Sequence, residues 1–279
     1  MVPAAIAAIK MLLSSRSRRA RLLTSAAFAA VIAVVAAGCQ TTQTGTTDSL
    51  GLAPLDNRPE AAWRGDETVY GQQYRADPSN LDVALHYAQA LRATGQRAQA
   101  LAVLERASMS NPHNKAVLGE YGRALAENGD YQQAFEVLGR AHTPDQPDWH
   151  ILSAQGAVLD QMGRHAEAQR FYKTALKIVP NEPSVLSNLG LSYALSHDLP
   201  DAEKALRKAV AQHSVDPRVR QNLALVVGLE GHFAEAEAIA RADLPADEAA
   251  ANVAYLRRML AQPRYLQKQK PSPQPPDQG

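Results

Sequence analysis

The sequence predicts an all-α chain, a solenoid of about five helix-turn-helix repeats with a capping helix at either end. Three observations carry this. Five blocks recur at a spacing of 34 residues, starting at Leu81, Lys115, Trp149, Pro183 and Pro217. Fixed places in each block are small: place 8 is Ala88, Gly122, Gly156, Gly190 and Ala224, and place 20 is Ala100, Ala134, Ala168, Ala202 and Ala236. Place 27 is alanine in four blocks (Ala107, Ala141, Ala175, Ala209). Glycine recurs at place 15 (Gly95, Gly129, Gly163, Gly231), where a helix must end in left-handed backbone. One such block buries too little apolar surface to fold alone, so neighbours must stack.

The 279-residue chain opens on what reads as an address. Residues 1–38 hold five basic residues and no acid, and a basic stretch from Arg16 to Arg21 runs into an apolar one from Leu22 to Ala37. Charged, apolar, small is the order of a secretory signal. The apolar run would span about 24 Å as a helix, short of the ~30 Å hydrocarbon core, which favours cleavage over a permanent span. Ala36-Ala37-Gly38-Cys39 resembles the bacterial lipobox, with alanine where leucine is usual. That resemblance implies lipidation at Cys39; an uncleaved anchor is the rival reading. Gln40, in place of an aspartate, leans toward outer-membrane sorting. Met11 serves as a start as well as Met1.

Residues 39–59, rich in Thr, Gln and Gly, read as a flexible tether. Residues 60–77 read as a lone helix capping the front. The repeats run 81–114, 115–148, 149–182, 183–216 and 217–250. Each divides into a helix A and a helix B with one apolar face of helical spacing, such as Leu118, Tyr121 and Leu125 in helix A and Leu138 in helix B. Pro112 and Pro180 stop helix B in their blocks, and Pro144 and Pro147 are expected to do so out of register. In the fourth block His197 replaces the turn glycine. A last helix over 247–261 has Asp247 as its expected N-cap. The solenoid ends near 262, and 263–279, rich in proline, reads as an unfolded tail.

A 34-residue period with these small places resembles the tetratricopeptide repeat, or TPR. The resemblance implies a right-handed superhelical solenoid whose concave wall, lined by helix A, binds protein partners. Places two, five, nine, twelve and thirteen face that wall in the family. Carried over, the candidate groove residues are Leu85, Gln89 and Arg92, then Arg123 and Glu127, then Leu191 and Leu195, then Arg218, Gln221, Leu225 and Leu229. Block three contributes His150, Ser153, Asp160 and Gln161. The front of the wall is charged and the rear carries four leucines. Those leucines are either a seat for an apolar partner helix or core covered by a neighbouring helix. The carboxylate clamp of chaperone-binding TPR domains is missing, since its places hold Leu85, Gln89, Glu120, His150 and Ala154.

Other classes find no support. Net charge is +1, and without residues 1–38 the chain holds 24 basic and 28 acidic residues, net −4, so nothing favours nucleic acid. One cysteine excludes a disulfide framework, and the eight histidines form no metal motif. No nucleophile, acid and histidine fall at a catalytic spacing, and no glycine-rich loop cradles phosphate. The chain is read as a non-enzyme with no small-molecule substrate, no metal and no cofactor beyond a covalent lipid on Cys39. Glu235 and Glu237 read as a solvated face.

The last third adds a second resemblance. Residues Arg218 to Leu229 read RVRQNLALVVGL, Gly231 to Glu237 read GHFAEAE, and Asn252 to Leu260 read NVAYLRRML. With the lipobox, they resemble the TadD family, TPR lipoproteins of the Flp (tight-adherence) pilus assembly system, over about residues 39–262. This implies an outer-membrane lipoprotein facing the periplasm, pilotin-like for the pilus secretin, with Tad components as partners. The alternative is a general TPR lipoprotein adaptor for cell-wall or outer-membrane-protein assembly enzymes.

Overall fold

A computed structural model describes residues 58–212 and 215–261, and within them the fold is all-α. Twelve helices follow one another: α1 Glu60–Ala76, α2 Leu81–Ala93, α3 Arg97–Ser110, α4 Lys115–Asn128, α5 Tyr131–Gly139, α6 Trp149–Gln161, α7 His165–Ile178, α8 Pro183–Leu195, α9 Leu199–Val210, α10 Pro217–Leu229, α11 Phe233–Ala240 and α12 Ala246–Leu260. Among the described residues there is no strand, only an isolated bridge between Thr143 and Gln146. The helices form two compact units that divide between Arg164 and His165, α1–α6 in the first and α7–α12 in the second. Cys39, the expected signal, most of the tether and the tail lie outside the described residues.

Helix A of every block starts at the block's first residue. The reason is a cap one place earlier. Asn80, Asn114, Asp148, Glu182 and Asp216, themselves 34 residues apart, each accept a hydrogen bond from a backbone N–H of the first turn. Each satisfies a donor that the helix leaves open. Helix A ends at the turn glycines Gly95, Gly129, Gly163 and Gly231, whose φ values are 82°, 93°, 75° and 91°. His197 takes the same left-handed backbone with φ 66° and is the one non-glycine residue to do so among those described.

The small places lie where the helices touch. All five place-20 alanines have no exposed surface, and Leu104, Leu138 and Leu206 at place 24 are equally buried. In the first unit, Tyr87, Leu91, Leu104, Leu118, Leu125 and Leu138 share one core with Val117 and Val158. Trp63 of α1 seats on Ala90 and Ala93 and closes the front. In the second unit, Leu206, Leu223, Val226 and Val227 pack together with Ala202 and Ala236. Ala249 of α12 packs with Ala224 and Ala240, closing the rear.

Two local expectations are corrected. Asp247 is not an N-cap: α12 begins at Ala246 after Pro245, which makes no side-chain cap, and Asp247 lies inside the first turn. There its charge still complements the helix N-terminus. Helix B of block two ends at Gly139, so neither Pro144 nor Pro147 terminates it. Pro144 sits instead in a turn closed by hydrogen bonds between Thr143 and Gln146.

Candidate functional site

The front of the expected groove is an ion network. Arg92 is 6% exposed, although arginine at the end of helix A reads as a surface residue. Its Nη1 donates to Glu120 Oε2 at 2.6 Å, and its Nη2 and Nε donate to Glu127 Oε1 at 2.5 and 3.1 Å. Arg123 Nη1 donates to the other oxygen of Glu120 at 2.7 Å. Two guanidinium groups and two carboxylates thus neutralise one another between α2 and α4. The planar fork of arginine suits this two-sided arrangement better than lysine would. The charges expected to meet a partner are engaged within the first unit, while Leu85 and Gln89 remain half-buried beside them.

On α6 every residue from Ile151 to Asp160 is buried, including the polar Ser153 and Asp160 at 7% and 8% exposure. Only His150 and Gln161 of the block-three candidates are exposed.

The rear differs. Leu191 and Leu195 on α8, and Leu225 and Leu229 on α10, are all half-buried, and α8 and α10 lie side by side. Each pair is one helical turn apart, so the four side chains occupy matching places on two adjacent helices. Asn222 Nδ2 donates to Ser187 Oγ at 3.0 Å and fixes the spacing of the two helices. Gln221 and Arg218 continue the stripe toward the N-terminus of α10, and both are half-buried. Arg218 pairs with the cap residue Asp216 at 2.7 Å. Burial pushes the Asp216 carboxyl up, but hydrogen bonds from the side chain and backbone of Arg218 and the nearby charges outweigh it, holding it below the usual carboxylate range.

Three ion pairs, made by two arginines, brace this unit. Arg220 binds Asp243, at the place where the other blocks carry alanine. Arg207 bridges Glu203 of α9 and Glu235 of α11, both at 2.5 Å. Beside them Glu230 Oε2 is buried without a hydrogen-bond partner. Burial, then the neighbouring Glu203 carboxyl, push the Glu230 pKa up.

Among the described residues no group of three or more His, Cys, Asp or Glu is placed to hold a metal, and no helix is long and apolar enough to cross a membrane. What the site offers is a half-buried apolar patch on a rigid helical frame.

A family model of the tetratricopeptide repeat matches residues 91–156 and 161–226. The chain carries tetratricopeptide repeats. A thermophilic TPR protein of Thermus thermophilus shares the fold, with a TM-score of 0.54 at 24% identity over 67% of this chain and 97% of that one. Weaker likenesses are MamA of Desulfovibrio magneticus RS-1 from residue 41, at 21% identity, TM-score 0.46, over 67% and 98% of the two chains, and MamA of AMB-1, at 28% identity, TM-score 0.46, over 54% and 89%. No curated protein matches the chain. TPR repeats are a scaffold for protein–protein interaction.

The packing places 8, 20 and 24 were legible once the register was known. The burial of Arg92 was not, because its two partners lie 28 and 35 residues away on the next repeat. The N-caps were missed as well, although their 34-residue spacing stands in the sequence.

Proposed function

We propose that this protein is a periplasm-facing TPR lipoprotein that assists assembly of the Flp (tight-adherence) pilus machinery, pilotin-like for its secretin. The tether is a lipid on Cys39, and the compartment is the inner face of the outer membrane. The observation that carries the binding part is the half-buried leucine patch of Leu191, Leu195, Leu225 and Leu229 on adjacent helices. Such a patch fits the apolar face of a partner helix. The family part is supported by the runs 218–229, 231–237 and 252–260. They fall on α10, α11 and α12, which pack against one another rather than scattering over the surface.

Co-purification tests the proposal. The protein is cross-linked in cells, solubilised and captured through an affinity tag. The pilus secretin is the expected companion, and its genes should neighbour those of the pilus ATPase and prepilin. Capture of cell-wall or outer-membrane-protein assembly enzymes without secretin would replace this reading with that of a general adaptor.

A further inference from the structure

The outer face of α12 carries a regular pattern of exposed residues. Asp247, Ala251, Ala254, Tyr255 and Arg258 are all exposed and recur at the spacing of one helical face. The opposite face, through Ala249 and Leu256, is buried on the rest of the second unit. Leu256 is held against Gly228 of α10, and Arg257 lies 4.8 Å from the Phe233 ring. So α12 is fixed in place, and its outer face is a fixed pattern: acid at one end, base at the other, small residues between. Asp247 and Arg258 have no ion-pair partner among the described residues. Tyr255, 41% exposed, is one of four large apolar side chains left open among the described residues.

We propose that a second copy of this chain docks on this face, the two α12 helices running antiparallel about a two-fold axis between residues 252 and 253. In that register Asp247 of each copy meets Arg258 of the other, and Ala251 lies opposite Ala254. A parallel arrangement would set Asp247 on Asp247 and Arg258 on Arg258, so charge selects the antiparallel one. The alanines let the helix axes approach to about 8 Å, the close end of helix packing. Tyr255 flanks the seam and covers it from one side. The contact is isologous, the form taken by most two-fold dimers. One helix of this length buries less than the ~1,000 Å² of stable complexes, so the association is weak and reversible. The proposal goes beyond the pilus reading and does not depend on it.

Sedimentation equilibrium of the full chain in density-matched detergent tests it, across the micromolar range. Asp247→Arg and Arg258→Asp are each expected to weaken self-association by about tenfold or more, because each sets like charge on like charge twice. A mixture of the two variants regains association, since the base introduced at position 247 of one then meets the acid introduced at position 258 of the other. The double variant Asp247→Arg with Arg258→Asp regains it too. Circular dichroism must show unchanged helical content in every variant. A wild type that stays monomeric throughout overturns the proposal. So does a dimer indifferent to both reversals, or a mixture that fails to recover.

Discussion

Gly190 has no room for a side chain because Leu206 fills it. A Cβ on Gly190 would lie 2.6 Å from Leu206 Cγ and 3.1 Å from the Ala202 carbonyl oxygen. Gly122 and Leu138 repeat the relationship in the second block, again at 2.6 Å. In these two blocks place 8 is glycine because the leucine at place 24 fills the space a side chain would take. Gly190→Ala should therefore lose stability by about 1–3 kcal/mol, even though alanine is the better helix former. Gly65 is the control, in mid-α1 with no heavy atom within 4 Å of its would-be Cβ. Gly65→Ala should gain about 0.5–1 kcal/mol. Urea unfolding of both variants checks the pair; equal shifts would undo this account of place 8.

This pairing shows how far the sequence could be read. The recurring Gly/Ala at place 8 and Leu/Tyr at place 24 stand at fixed offsets in a 34-residue rhythm, so packing could be inferred from spacing alone. The Arg92 network could not. Its members belong to different repeats, and arginine, glutamate and glutamate on helix A look like solvated charge until the helices are set side by side. The leucines at places 9 and 13 fall between these cases: the TPR resemblance implied that they share one wall, but only the fold shows them half-buried on two touching helices.

His197 replaces the turn glycine at φ 66°, a conformation that crowds a β-carbon. His197→Gly should raise stability by about 1 kcal/mol, partly offset by the greater freedom of glycine in the unfolded chain. The reverse change, Gly231→His, should cost a similar amount. Thermal melting of both variants checks the prediction, and a His197→Gly variant less stable than wild type would mean that the imidazole makes a contact outweighing the strain.

Two carboxyl groups of the second unit should drive pH dependence in opposite directions. Asp216 has its folded pKa lowered, so its contribution is present above the ordinary aspartate value and is lost as pH falls through the folded value. Glu230 has its pKa raised by burial and then by Glu203, with His232 and Arg207 opposing. Its contribution is present below the ordinary glutamate value and is lost as pH rises through the folded value. Glu230→Gln should thus be more stable than wild type at neutral pH and lose that advantage in acid. Asp216→Asn should be less stable at neutral pH, with a shallower fall in acid. Urea midpoints from pH 3 to 7, roughly the window of carboxyl titration, decide both.

The proposed anchor is a lipid on Cys39. With Cys39→Ser no lipid can be attached, and two or more acyl chains are what hold such a protein firmly. The variant should keep its signal uncleaved and leave the outer-membrane fraction. Metabolic labelling with a fatty-acid analogue and fractionation test this. A wild type that takes up no label and fractionates as soluble rules the anchor out.

The proposed binding site is the set of four rear leucines. Each is only half-buried, so a charge at one of them costs less folding stability than at a core leucine such as Leu206, which has no exposed surface. In a complex the same side chain would be fully covered, and a well-buried leucine contributes about 1.5–3 kcal/mol. Leu191→Glu with Leu225→Glu should then keep its helical content, melt within a few degrees of wild type, and capture the secretin at least about tenfold less well. Arg92→Ala should behave in the opposite way. It leaves Glu120 and Glu127 without their shared cation, which should cost about 3 kcal/mol of stability, and since Arg92 is turned inward it should not change capture by the protein that remains folded. Circular dichroism, thermal melting and a quantitative pull-down on the same preparations separate the two cases. Unfolding of the leucine pair variant would make these residues core. A folded pair variant with unchanged capture would move the interface away from α8 and α10.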